Sequence, residues 1–334
     1  MSDDADIADH PCGERESMKA WQFVGAHQPL SLTEIGEPTP GPGEVAVGVR
    51  AAGLCHSDVG LIEGVIPAEV LLGSVPQTLG HEGAGVVSAV GAGVAKAKAG
   101  DRVGLFMCEE GPGTGIPGAY APIVVLSEDL LVPIPDGVSF ADAATGADAG
   151  VTPYRALTAA GEVGAGTRVG IVGLGGLGLN AVQIALALGA VVYAAEPRVE
   201  VHDVATKLGV TEVVSDVLSL APFHLDVILD FAGFGTTTAD AVLAVRAGGR
   251  VVLVGVGRSE STVNTLALTG KNVSLIGSHA GTREDQAAYY ELVASGQVTP
   301  VLSYTTFEGI GEGLDAVTAG AVVGRLVAVF GDDQ

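Results

Sequence analysis

Residues 167–189 constrain the fold more than any other stretch of this chain. TRVGIVGLG (167–175) is an apolar run rich in branched residues that ends in glycines. GLGLNAVQIALALG (176–189) follows at once with helical character and closes on Gly189. The same alternation continues downstream. AVVYAAE (190–196) reads as a strand, VEVHDVATKLG (199–209) as a helix, and DVILDFAG (226–233) as a strand. TTADAVLAVRAGG (237–249) then reads as a helix and RVVLVGVG (250–257) as a strand. Near-continuous apolar strands need cover on both faces, and intervening helices supply it. The expectation is an α/β, doubly wound parallel sheet over 151–283.

The chain before residue 150 has a different grammar. EVAVGVRAAG (44–53), EGAGVVSAVGAGV (82–94) and DRVGLFM (101–107) are short branched runs separated by glycine and proline turns, the pattern of a small curled β domain. After a short helix near 284–295, GRLVAVF (324–330) adds a final strand. The boundaries expected are a tail at 1–17, a β-rich domain at 18–150 joined by 284–334, and the doubly wound domain between them.

Gly173-Leu174-Gly175-Gly176-Leu177-Gly178 fits G-x-G-x-x-G in a strand-to-helix turn. Such glycines let backbone N–H groups at a helix N-terminus approach a pyrophosphate, so Gly173, Gly175, Gly176, Leu177 and Gly178 are candidate dinucleotide contacts. The next strand ends at Glu196, placed to accept hydrogen bonds from an adenosine ribose. An acid there repels a 2′-phosphate and favours NAD over NADP. Arg198, two residues on, could rescue a phosphate there and weakens that preference.

Charge excludes other classes. With 16 Lys and Arg against 39 Asp and Glu the formal charge is −23, so the chain lacks the basic footprint of a nucleic-acid binder or of a protein drawn to anionic membranes. No apolar run approaches the roughly 20 residues of a membrane-spanning helix. The amino terminus opens with acids rather than a basic and apolar leader, and three cysteines are too few for a disulfide framework, so a cytoplasmic location is expected.

GLCHSD (53–58), TLGHEGAGVV (78–87), AGDRVG (99–104), DAGVTPYRAL (148–157), the glycine loop and GSHAGTRED (277–285) follow in an order that resembles the medium-chain zinc-dependent alcohol dehydrogenases. The resemblance runs from Met18 nearly to the end. It implies a Rossmann domain beside a GroES-like catalytic domain and a hydride exchanged between an alcohol or carbonyl compound and NAD. It also implies a homo-oligomer, dimer or tetramer. Cys55 and His81 match catalytic zinc ligands. The third ligand position, commonly cysteine, holds Asp148, as in several bacterial secondary-alcohol dehydrogenases of the family. Oxygen is an acceptable zinc donor. Ser57 would hydrogen-bond the substrate oxygen and pass on its proton. Asp58 and Glu82 would support the metal from behind its ligands. His56 and Arg325 match positions near the cofactor pyrophosphate, and Thr152 one beside the nicotinamide.

Two departures stand out. Gly60 occupies the region where many members carry a proton-relay histidine. The run 101–118 offers only Cys108 where many members hold a structural zinc with four cysteines, so one zinc, the catalytic one, is expected. The alternatives are a zinc-free quinone or enone reductase of the same superfamily and a dinucleotide-binding protein without turnover.

Overall fold

In the computed structural model, which describes residues 16–331, six parallel strands form one sheet in the order 212–214, 191–195, 168–172, 227–230, 250–253, 274–277. Numbered along the chain, that is the 3-2-1-4-5-6 order of a dinucleotide-binding sheet. The physical basis is visible residue by residue. Val169, Ile171, Val192, Val227 and Leu229 pack into one buried cluster, with Leu179, Val182 and Ala185 of the helix Gly176–Ala187. Their neighbours Val172, Tyr193, Ile228 and Val251 point the other way. They pack with Ala241 and Val242 of the helix Thr236–Ala244. Side chains alternate across a strand, so apolar residues at successive positions require helices on both faces.

The second sheet has seven strands and is mostly antiparallel. Arg325–Val329 pairs with the long strand Glu44–Leu54, which pairs in turn with Glu82–Val90. The chain's last strand therefore returns to the first half. A third sheet of three strands contains Ser17–Phe23, so regular structure begins one residue before the expected start at Met18. Most of the expected tail, with His10 and Cys12, lies outside the described residues.

Three stretches depart from the sequence expectation. The helix expected over 237–249 ends at Ala244, because Val245 adopts an extended ψ of 148° and the chain turns towards the next strand. The one expected from 199 opens with a 3₁₀ turn, Val199–Val201, before His202–Leu208. A stretch not foreseen as helical, 140–160, forms two short α-helices, each followed by a π-helical turn, at Gly146–Gly150 and Ala156–Ala160.

Candidate active site

Cys55 caps the helix His56–Ile62 directly after the strand Glu44–Leu54. His81 precedes the strand Glu82–Val90. The two strands are antiparallel partners with Gly53 opposite Glu82, and that pairing makes neighbours of two ligands distant in sequence. Asp148 comes from the π-helical turn Gly146–Gly150, whose wider turn is a common device at functional sites. Glu82 fastens this turn to the sheet by accepting the Ala149 N–H at 2.8 Å.

The three side chains converge. Among the described residues, Cys55, His81 and Asp148 form a group whose ligand atoms all lie within 4.8 Å of one another, and all three are buried. Cys55 Sγ is 3.3 Å from Asp148 Oδ2, and His81 Nε2 is 3.6 Å from the same oxygen. Donors bound tetrahedrally to one zinc at about 2.0–2.3 Å sit roughly 3.3–3.7 Å apart, so this thiol, imidazole and carboxyl set fits the ion.

The surrounding groups set orientation and charge. Thr152 Oγ1 donates to Asp148 Oδ1 at 2.8 Å, which leaves Oδ2 for the cluster. Asp58 Oδ1 lies 3.4 Å from His81 Nδ1 and turns the opposite ring nitrogen towards Asp148. Burial opposes ionisation of Asp148, but the His81 hydrogen bond and the Arg325 charge outweigh it and hold the carboxyl well below the usual carboxylate range. Burial likewise opposes protonation of His81, and Asp58 and Asp148 overcome it. Glu82 is raised to about 7 by burial, against the lowering effect of Arg325. Ser57 Oγ lies 3.6 Å from Cys55 Sγ, beside the cluster.

Arg325 sits closer to the ligands than its matched position near the pyrophosphate suggests. Its Nη2 donates to Glu82 Oε1 and Asp148 Oδ2, both at 2.7 Å, and to Cys55 Sγ at 3.3 Å. The same side chain borders the glycine loop, since a Cβ on Gly176 would come within 3.3 Å of Arg325 Nη1. One guanidinium thus touches both the ligand cluster and the start of the helix Gly176–Ala187. His56, by contrast, is exposed at the first residue of its helix.

The glycine loop has the expected form. A Cβ on Gly178 would lie 1.9 Å from the Gly173 carbonyl oxygen, so only glycine lets the helix begin so close to the strand end. Glu196 is buried beneath the loop. Its Oε2 accepts the Leu174 N–H at 2.7 Å, and its Oε1 accepts Arg198 N–H and Nε at 3.0 Å each. Burial pushes its carboxyl up, and these bonds outweigh burial to hold it below the ordinary value. Arg198 is fully engaged. Besides Glu196, its guanidinium donates to the carbonyls of Gly320 and Val322 at 3.2 Å.

Comparison with known proteins decides the family. The alcohol dehydrogenase GroES-like domain matches residues 41–136, and the zinc-binding dehydrogenase domain matches 176–295. An alcohol dehydrogenase of Geobacillus stearothermophilus is 33% identical, over 93% of this chain and 99% of its own. The chain belongs to the medium-chain alcohol dehydrogenase family. This dehydrogenase is an oxidoreductase acting on CH–OH groups and the corresponding carbonyls. The NADP-dependent alcohol dehydrogenase C of Mycobacterium bovis is 30% identical over 93% of this chain and 98% of its own. Among solved structures, acetophenone reductase from Geotrichum candidum in complex with NAD matches with a TM-score of 0.87. It shares 31% identity and covers 94% of this chain and 97% of its own. No helix of the dehydrogenase among the described residues is long and apolar enough to cross a membrane.

Tyr120 escaped the sequence reading. It is buried, and its hydroxyl lies 2.8 Å from Asp58 Oδ2. No spacing rule links two residues 62 apart, and GAYAPIVVL reads only as an apolar run.

Proposed function

We propose that this dehydrogenase interconverts secondary alcohols and ketones with NAD, using one zinc ion held by Cys55, His81 and Asp148. The observation that carries the reading is the convergence of those three buried donor groups within 4.8 Å beside the glycine loop. It also weighs against a zinc-free reductase or a binding protein without turnover. When bound there, zinc supplies Lewis acidity towards the substrate oxygen. The reaction balances as alcohol and NAD⁺ giving carbonyl compound, NADH and one proton.

The chain's own residues orient and exclude. Thr152 and Asp58 fix the ring and carboxyl that face the cluster, and burial keeps water from it. Ser57 is the hydroxyl beside Cys55, and it takes the alcohol proton and passes it outward. The relay has no imidazole at position 60, where Ile66 packs so closely that a Cβ on Gly60 would meet its Cδ1 at 3.0 Å. Gly173, Gly175, Gly176, Leu177 and Gly178 cradle the pyrophosphate with Arg325 and His56 alongside, while Thr152 also borders the nicotinamide. Glu196 receives the adenosine ribose. NAD is preferred because Glu196 is acidic and Arg198 is already bound to it and to two carbonyls.

The catalytic part comprises 18–150 with 284–334 and the cofactor part 151–283, a division supported by the pairing of Arg325–Val329 with Glu44–Leu54. A homo-oligomer in the cytoplasm completes the proposal. Cys55→Ser is the direct test: zinc content and turnover of secondary alcohols should both disappear, while NADH still binds. Turnover retained without zinc would refute the metal's role.

A further inference from the structure

We infer that Tyr120 is a positioning residue for the metal site, acting on His81 through Asp58 and through the backbone ahead of the histidine. The inference rests on the zinc reading above.

The first route is a chain of side chains. Tyr120 O–H has one proton and faces two acceptors, Asp58 Oδ2 at 2.8 Å and the Gly53 carbonyl at 3.1 Å. The Cys55 N–H donates to the same Asp58 Oδ2 at 3.2 Å. Two donors on Oδ2 fix the plane of the carboxylate. Its other oxygen, Oδ1, is buried without a hydrogen bond elsewhere and stands 3.4 Å from His81 Nδ1. A carboxylate held this way faces the Nδ1 side of the ring and leaves Nε2 free to act as a donor atom. Tyr120 also ties Gly53 to this chain, and Gly53 lies two residues before the ligand Cys55.

The second route runs through the backbone. Ala119 N–H donates to the Gly80 carbonyl at 2.7 Å, and Tyr120 N–H donates to the Leu79 carbonyl at 3.0 Å. Gly80, just before His81, has φ +94°, and a Cβ there would come within 2.5 Å of Tyr120 Cδ1. The tyrosine ring therefore lies flush against the peptide that carries His81. Ring and hydroxyl are wholly buried.

The test measures zinc affinity of the full-length protein, stripped of metal and titrated with Zn²⁺ against a chromophoric chelator. Removing groups that orient a metal's ligands typically weakens binding about 10–100-fold. Tyr120→Phe should weaken zinc about tenfold. Asp58→Asn should weaken it at least as much, and the double variant should match Asp58→Asn within about twofold, because the hydroxyl acts through the carboxylate. Wild-type affinity in Tyr120→Phe overturns the inference, as does an equal loss from Tyr120→Phe in the Asp58→Asn background. If Tyr120→Phe fails to fold, wild-type affinity in Asp58→Asn still overturns the inference, because the hydroxyl acts through that carboxylate. Failure of the unmodified protein to bind zinc strikes at the zinc reading instead.

Discussion

Gly178→Ala separates cofactor binding from metal binding. The added Cβ would stand 1.9 Å from the Gly173 carbonyl oxygen. A carbon and a carbonyl oxygen need roughly 3.3 Å, so the start of the helix must withdraw by more than about 1 Å. Backbone on backbone leaves no side chain to swing aside. Strain of this kind costs about 1–3 kcal/mol, below the roughly 5–15 kcal/mol that keeps a domain folded. The withdrawn helix end carries the N–H groups proposed to meet the pyrophosphate. Losing one hydrogen bond to a charged group costs about 1.5–3 kcal/mol, or about tenfold to a hundredfold in affinity. Fluorescence titration with NADH should therefore show binding weakened by at least about tenfold, with zinc content unchanged. A folded Gly178→Ala protein that binds NADH like the wild type would refute the placement of the dinucleotide at this helix end.

Two other substitutions test the surroundings. Glu196→Ala removes the acid and frees Arg198 from its closest partner, so the ratio of kcat/KM for NADP over NAD should rise by about tenfold or more. Initial rates with both coenzymes measure this, and an unmoved preference would remove the basis for the ribose assignment. Asp226 links strand starts in the parallel sheet, accepting Arg168 N–H at 2.8 Å and Arg246 Nε at 2.7 Å. Burial pushes its carboxyl up, but those two donors outweigh burial and hold it below the ordinary value. A depressed folded value gives stability that is present above about pH 3.9 and lost as pH falls through the folded value. Asp226→Asn should therefore cost about 1 kcal/mol or less at pH 7, with the gap closing in acid. Urea unfolding at pH 7 and pH 3 gives both numbers, and a gap independent of pH contradicts the account.

Much of the architecture was legible because local chemistry decided it. The run at 167–175 and the helix after it could satisfy their apolar faces only inside a covered parallel sheet, and the 3-2-1-4-5-6 strand order agrees. The helix end near Val245 was not legible, since its extended backbone answers to the strand that follows. The π-helical turn that presents Asp148 was equally hidden, because its residues GADAG carry no local signal for one extra residue per turn.

By itself the sequence determined the alternation of strands and helices, the glycine turn, and the supply of a thiol, an imidazole and a carboxyl group. It matched those three to ligand positions only through resemblance. Tertiary structure alone decided which atoms meet. The antiparallel pairing of Glu44–Leu54 with Glu82–Val90 brings Cys55 to His81, and the returning strand Arg325–Val329 carries Arg325 into contact with Cys55, Glu82 and Asp148. It also delivered Tyr120 to Asp58. The reason is one of range. Helix and strand periodicities act over a few residues, whereas a hydrogen bond between residues 62 apart exists only after long-range strand pairing has brought them together.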